Sequence, residues 1–172
     1  VDISDKGGGQ MGKKASKAVG NMYYSARSEA VKDNVAFTSR ESASELLHIE
    51  RTRLANIELG NITPYPEEVK CMAQAYNMPE LCNAYCANEC PIGIDTVTEV
   101  KMDDFDRLSL KVLGSLQDID SIRTSLIKIS EDGVISADEE GAFNDIIDSL
   151  EKISTNAKAL QLWAKKNIHF KG

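Results

Sequence analysis

Apolar positions recur three and four residues apart along most of this chain, the period of an α-helix, and the chain reads as all-α. In NMYYSARSEAV (21–31), Tyr23, Ala26 and Ala30 give a narrow inward face, and Lys32-Asp33-Asn34 ends the helix. Phe37 is expected to pack beneath the domain. The stretch SRESASELLHIERTRLANIELG (39–60) predicts two short helices around a tight turn. Ala43 and Leu47 lie four apart on the first, Leu54 and Ile57 three apart on the second, and Ile49 plugs the connection between them. Ser39 suits the cap before the first helix, and Gly60 the permissive backbone after the second. Pro66-Glu67-Glu68 opens a fourth helix with Val69, Met72, Ala73 and Tyr76 as its stripe. Pro79-Glu80 opens a fifth with Leu81, Tyr85 and Cys86, closed by Cys90-Pro91. The segment 91–97, PIGIDTV, is the expected domain boundary.

Beyond it the grammar changes. Phe105, Leu108, Val112, Ser115, Ile119, Ile122, Leu126 and Ile129 alternate three and four apart, with Ser115 alone polar and Leu116 beside it. After Glu131-Asp132-Gly133 a second series runs through Phe143, Ile146, Leu150, Ile153, Ala157, Leu160 and Ala164. Two heptad seams joined by a glycine turn predict a long antiparallel helical hairpin over 98–170, each arm roughly 40 Å long. Leu113, Leu116, Ile147 and Trp163 widen the stripes beyond one seam. That surplus suggests a homodimer closing a four-helix bundle, with Phe105, Leu108, Val112, Leu116, Ile119, Ile146, Leu150, Ile153, Leu160 and Trp163 as dimerisation residues. Docking onto the N-terminal half is the other use for such a face.

Charge divides the chain in the same way. Residues 1–62 hold 9 Lys/Arg against 8 Asp/Glu, while the remainder holds 11 against 19. An overall charge of −7 disfavours indiscriminate coating of nucleic acid, and the acidic part is expected to point away from DNA. No apolar run reaches membrane-spanning length and no secretory pattern is visible, so the expectation is a cytoplasmic protein without membrane contact. Residues 1–20, with Gly7-Gly8-Gly9, read as a flexible leader. Met11 is a candidate natural start, and Lys13, Lys14 and Lys17 follow it, either as a solvated tail or as an arm on phosphates.

Candidate chemistry concentrates at 50–56. Arg51 and Arg53 are two apart and so point about 200° apart on a helix. Arg51 is the better base reader, through bidentate contact with guanine; Arg53 suits a phosphate or solvent. Glu50 suits either cytosine or the helix start. Cys82, Cys86 and Cys90 recur every four residues, with Cys71 on the helix before. That spacing is unlike a structural zinc knuckle, and small buried thiols at a helix contact are the simpler account. The calcium-loop likeness at 128–139 fails because Lys128 stands where an oxygen ligand is required; Ser136 with Glu139 reads instead as a capping box. His48 and His169 sit in no nucleophile constellation and no phosphate loop occurs, so neither an enzyme, a cofactor nor a metal is expected.

Six segments taken in order carry a family likeness: YSAR (24–27), RESASELLHI (40–49), LANIELG (54–60), PYPEEV (64–69), MAQAYNMPEL (72–81) and YCANECPIG (85–93). Across 21–93 the chain resembles the phage-repressor-like helix-turn-helix family (XRE, Cro/CI type), in a Gram-positive subgroup with a Tyr-Cys…Cys-Pro ending and a helical tail. The resemblance implies a five-helix, lambda-repressor-like DNA-binding domain and a transcriptional regulator, usually a dimeric repressor on a double-stranded operator. It implies that Arg40 touches a phosphate or base, that Arg51 and Thr52 read bases, that Ala55 and Asn56 face the groove, and that Asn61 contacts the DNA backbone. It also implies a buried ion pair between Arg27 and Glu58. Two departures stand out: His48 fills the turn position where glycine is commonest, and the segment between Val31 and Phe37 is longer than in short phage repressors. The rival expectation is a protein-interaction module, anti-repressor or antitoxin-like, whose acidic helical half engages a protein partner.

Overall fold

The computed structural model describes residues 18–130 and 133–168. Expectations for the lysine arm, Glu131-Asp132 and His169 lie outside these. Among the described residues every regular element is helical: α1 (Met22–Ala30), a 3-10 turn (Val35–Thr38), α2 (Arg40–Leu47), α3 (Arg51–Glu58), α4 (Pro66–Ala75), α5 (Glu80–Asn88), α6 (Phe105–Ser115), α7 (Ile119–Ile129) and α8 (Glu140–Asn167). They fall into two compact units, one ending at Thr63 and the other beginning at Pro64. None of these helices is long and apolar enough to cross a membrane.

In the first unit, Asn21 does two jobs. Its side-chain oxygen accepts from the Tyr23 and Tyr24 backbone N–H groups at 2.9 and 3.1 Å, satisfying donors that open α1. Its amide nitrogen donates to the Ile57 carbonyl at 3.0 Å, tying α1 to α3. Tyr23, Phe37, Leu47, Ile49, Leu54 and Ile57 are buried together with the alanines of α1 and α2. Ala18, assigned to the leader from sequence, is fully buried, so the packed chain begins before residue 20.

In the second unit, α4 opens as its sequence dictates: Pro66 fills the first position, and the Glu68 carboxylate accepts from the Tyr65 N–H at 2.7 Å. The segment 91–97, expected as an open boundary, is held down. A Cβ on Gly93 would lie 2.2 Å from the Cys86 carbonyl oxygen, so only glycine permits this approach. Beyond it, buried Asn83 accepts from the Val100 N–H at 2.8 Å and donates to the Thr98 carbonyl at 3.1 Å.

The expected first long arm is broken. Its seam is split into α6 and α7 by residues 116–118, and both pieces pack on the 28-residue α8, about 42 Å long. Gly114 and Ser115 are poor interior residues, and Ser115 Oγ donates back to the Val112 carbonyl at 2.8 Å. The break turns Leu116 and Ile119 outward. Two separate cores result. Leu108 packs with Val100, Ala159 and Leu162; Ile122 and Ile129 pack with Ile146. Along α8 the buried phase moves from Phe143, Ile146 and Ile153 to Ala159 and Leu162, off the strict heptad that continues through Ala157, Leu160 and Ala164. The two buried faces have different covers: α7 lies over Ile146 and Ile153, whereas α6 and the 100–102 segment lie over Ala159 and Leu162.

Candidate nucleic-acid interface

The α2–α3 pair is built from its caps inward. Ser39 Oγ accepts from the Ser42 N–H at 3.1 Å to start α2. His48 ends it in the left-handed conformation (φ 53°, ψ 33°), the Ile49 N–H bonding the Ser44 carbonyl at 3.2 Å. The turn that glycine commonly makes is thus made by an imidazole-bearing residue, with the ring exposed. Ile49 is buried directly after it and closes the space between the helices.

Glu50 then caps α3. Its two carboxylate oxygens accept from the Thr52 and Arg53 N–H groups, both at 2.8 Å. Those backbone bonds hold its pKa below the ordinary glutamate value. Glu50 is thus the carboxylate that starts α3.

Arg51 is solvent-facing, and its Nε donates to Glu41 on α2 at 2.6 Å. Both side chains are mostly exposed, so the pair is weak and exchangeable. Thr52 is exposed beside it; Arg53, Ala55 and Asn56 are half-buried. Asn61, past the helix, donates from its amide to Asn56 Oδ1 at 3.1 Å, so these two side chains lie together.

Beneath this surface runs a charged network. Arg27 on α1 donates to Glu58 on α3 through Nε (2.5 Å) and Nη2 (2.9 Å), and its Nη1 bonds the Phe37 carbonyl at 2.7 Å. Glu58 is fully buried. Arg40 joins from α2, its Nε 2.6 Å from the second Glu58 oxygen. Its part in a three-helix junction is one that helical spacing could not reveal, because Arg40 lies far from both Arg27 and Glu58 in sequence.

The expected dimerisation residues divide. Leu108 and Ile146 are 1% and 4% exposed and are consumed inside one chain, where they form the cores under α8. Phe105 is half exposed, with its ring 4.9 Å from that of Trp163. Val112, Ile153 and Leu160 are half-buried, whereas Leu116, Ile119 and Leu150 face outward. Leu110 and Leu113, one turn apart on α6, are the most exposed leucines of the unit. Cys71, Cys82, Cys86 and Cys90 are all half-buried. No family model matches the chain, and comparison with curated proteins and with solved structures returns no match.

Proposed function

We propose that this chain is a sequence-specific DNA-binding regulator of transcription, a repressor acting as a homodimer. In this reading α1 to α5 form a five-helix, phage-repressor-like domain, and the α6–α8 half dimerises or takes a protein partner. The supporting observation is the α2–turn–α3 arrangement: two eight-residue helices joined by a left-handed residue, the second beginning with exposed Arg51 and Thr52. That is the form in which a helix start can enter a major groove, with Arg51 meeting a guanine edge. Ala55 and Asn56 follow toward the groove, and Arg53, Arg40 and Asn61 serve phosphates. The Glu41 pair on Arg51 is exposed and weak, so exchanging it for a bidentate contact with a base favours binding.

The test is a footprinting titration against the DNA upstream of the protein's own gene, with scrambled competitor. Two protected half-sites are expected, and Arg51→Ala should weaken specific binding about 10- to 100-fold, a loss of roughly 1–3 kcal/mol. Binding that ignores sequence and disappears with salt would favour the rival interaction module instead. That reading draws on the outward leucines of α6 and on the acidic charge of the second half.

A further inference from the structure

The second unit contains a cleft of about 410 Å³, a size typical of small-molecule sites. One wall is a face of α4 continued into the turn after it: Lys70, Ala73, Gln74 and Asn77 recur at helical spacing. Pro79 and Cys82 supply the start of α5, and Lys165 closes the cleft from the last turn of α8.

The charges make the cleft unusual. Residues 63–172 hold 19 acids against 11 bases, yet among the described residues neither Lys70 nor Lys165 has an ion-pair partner. The neighbouring Lys166 does: its Nζ sits 2.9 Å from Glu80 Oε1, and its carbonyl accepts from the Asn77 amide at 3.4 Å. Glu80 Oε2 is sealed from solvent and has no hydrogen-bond partner among the described residues, so that carboxylate is held by Lys166 through Oε1 alone. These two bonds pin the end of α8 to the α4–α5 turn and leave Lys165 facing the same space as Lys70. Two unmatched like charges repel across a cleft, and an anion between them turns that repulsion into attraction. Ala73, Pro79 and the Cys82 thiol give an apolar floor.

We propose that this cleft is a binding site for a small organic carboxylate with an apolar body. Its carboxylate lies between Lys70 and Lys165, the Gln74 and Asn77 amides are within the same wall, and its apolar part covers Cys82. Burial pushes the Cys82 thiol pKa up, while Lys165 and then Lys70 pull it down, which agrees with both cations lying near that sulfur. The site stands independently of DNA binding, and so does its test.

Cys82 makes the cleft measurable. The probe is 5,5′-dithiobis(2-nitrobenzoate), an aromatic disulfide bearing two carboxylates. The Cys82 thiolate attacks one sulfur, forming a mixed disulfide and expelling one thionitrobenzoate whose absorbance is followed. Cys82→Ser identifies the Cys82 phase, and neutral 4,4′-dithiodipyridine is the control reagent. On the full chain the anionic reagent is expected to react at Cys82 with a rate that saturates with its concentration. In Lys70→Ala/Lys165→Ala its rate relative to the neutral reagent should fall about tenfold, as for the loss of two partly exposed charge pairs. Both lysines are exposed, so this variant keeps its fold, and an unchanged circular dichroism spectrum checks that. A rate that stays linear in the anionic reagent, or a ratio unchanged in the double variant, would overturn the site.

Discussion

Glu58 is the residue on which the first unit depends most. It is buried, and it is met by guanidinium groups from α1 and α2 at once. Removing one partner of a buried pair strands the other charge, so Glu58→Ala should cost about 3–5 kcal/mol in urea unfolding. Glu58→Gln, which keeps acceptor capacity, should cost less. Glu50 behaves differently because it is exposed and held chiefly by backbone donors. Its pKa is lowered in the folded chain, so its contribution is fully present above the ordinary glutamate range and is lost as pH falls through the lowered value. The urea-midpoint difference between the parent and Glu50→Gln should therefore be largest near neutrality and vanish in acid. Ser39 and Pro66 show what was readable at this scale. Each acts through neighbours two or three residues away, and a local rule suffices. Arg40 was not readable, because its partner lies 18 residues on.

Helices are where periodicity speaks most clearly, and also where it misleads. Short stripes such as Ala43/Leu47 and Leu54/Ile57 belong to single helices whose buried apolar residues are those same positions. The longer series from Phe105 to Ile129 has an unbroken period but a broken helix. Spacing records which residues face inward and is silent about a three-residue break that conserves the phase approximately. Gly114-Ser115 was the available signal, and it lay under the one polar member of the seam. The connection after α5 teaches the reverse. Pro91 and Gly93 look like punctuation, yet the glycine is required by close packing on Cys86. Gly93→Ala should lower stability by about 1–3 kcal/mol in chemical denaturation, the cost of forcing an atom into a filled space.

At the level of the whole molecule, the helical class followed from spacing alone, whereas the division at Thr63–Pro64 did not. Segments joined by prolines and glycines look like boundaries in a sequence, but a boundary is set by how many contacts cross it, which only folding reveals. The surplus of apolar residues on the second half was visible in the sequence; which of them remain uncovered was not. Leu108 and Ile146 are used internally, while Leu110 and Leu113 stay outside. For a homodimer through this face, Leu110→Glu/Leu113→Glu should shift sedimentation from dimer to monomer and leave helical content unchanged, since both positions are already in water.

The pairing of α6 and α7 with α8 also sets a timetable. Leu108 finds its partners at Ala159 and Leu162, more than fifty positions later in the chain. At a synthesis rate of about 5–20 residues per second, the ribosome needs roughly 3–11 s to supply them. The internal contacts of the first unit are complete once Thr63 has been made and are free of that wait. During those seconds a nascent chain presents the inner face of α6 without its α8 partners, whereas Ile146, the partner of α7, follows much sooner. That interval, rather than the finished fold, is when this protein is most open to capture by chaperones or by other nascent copies of itself.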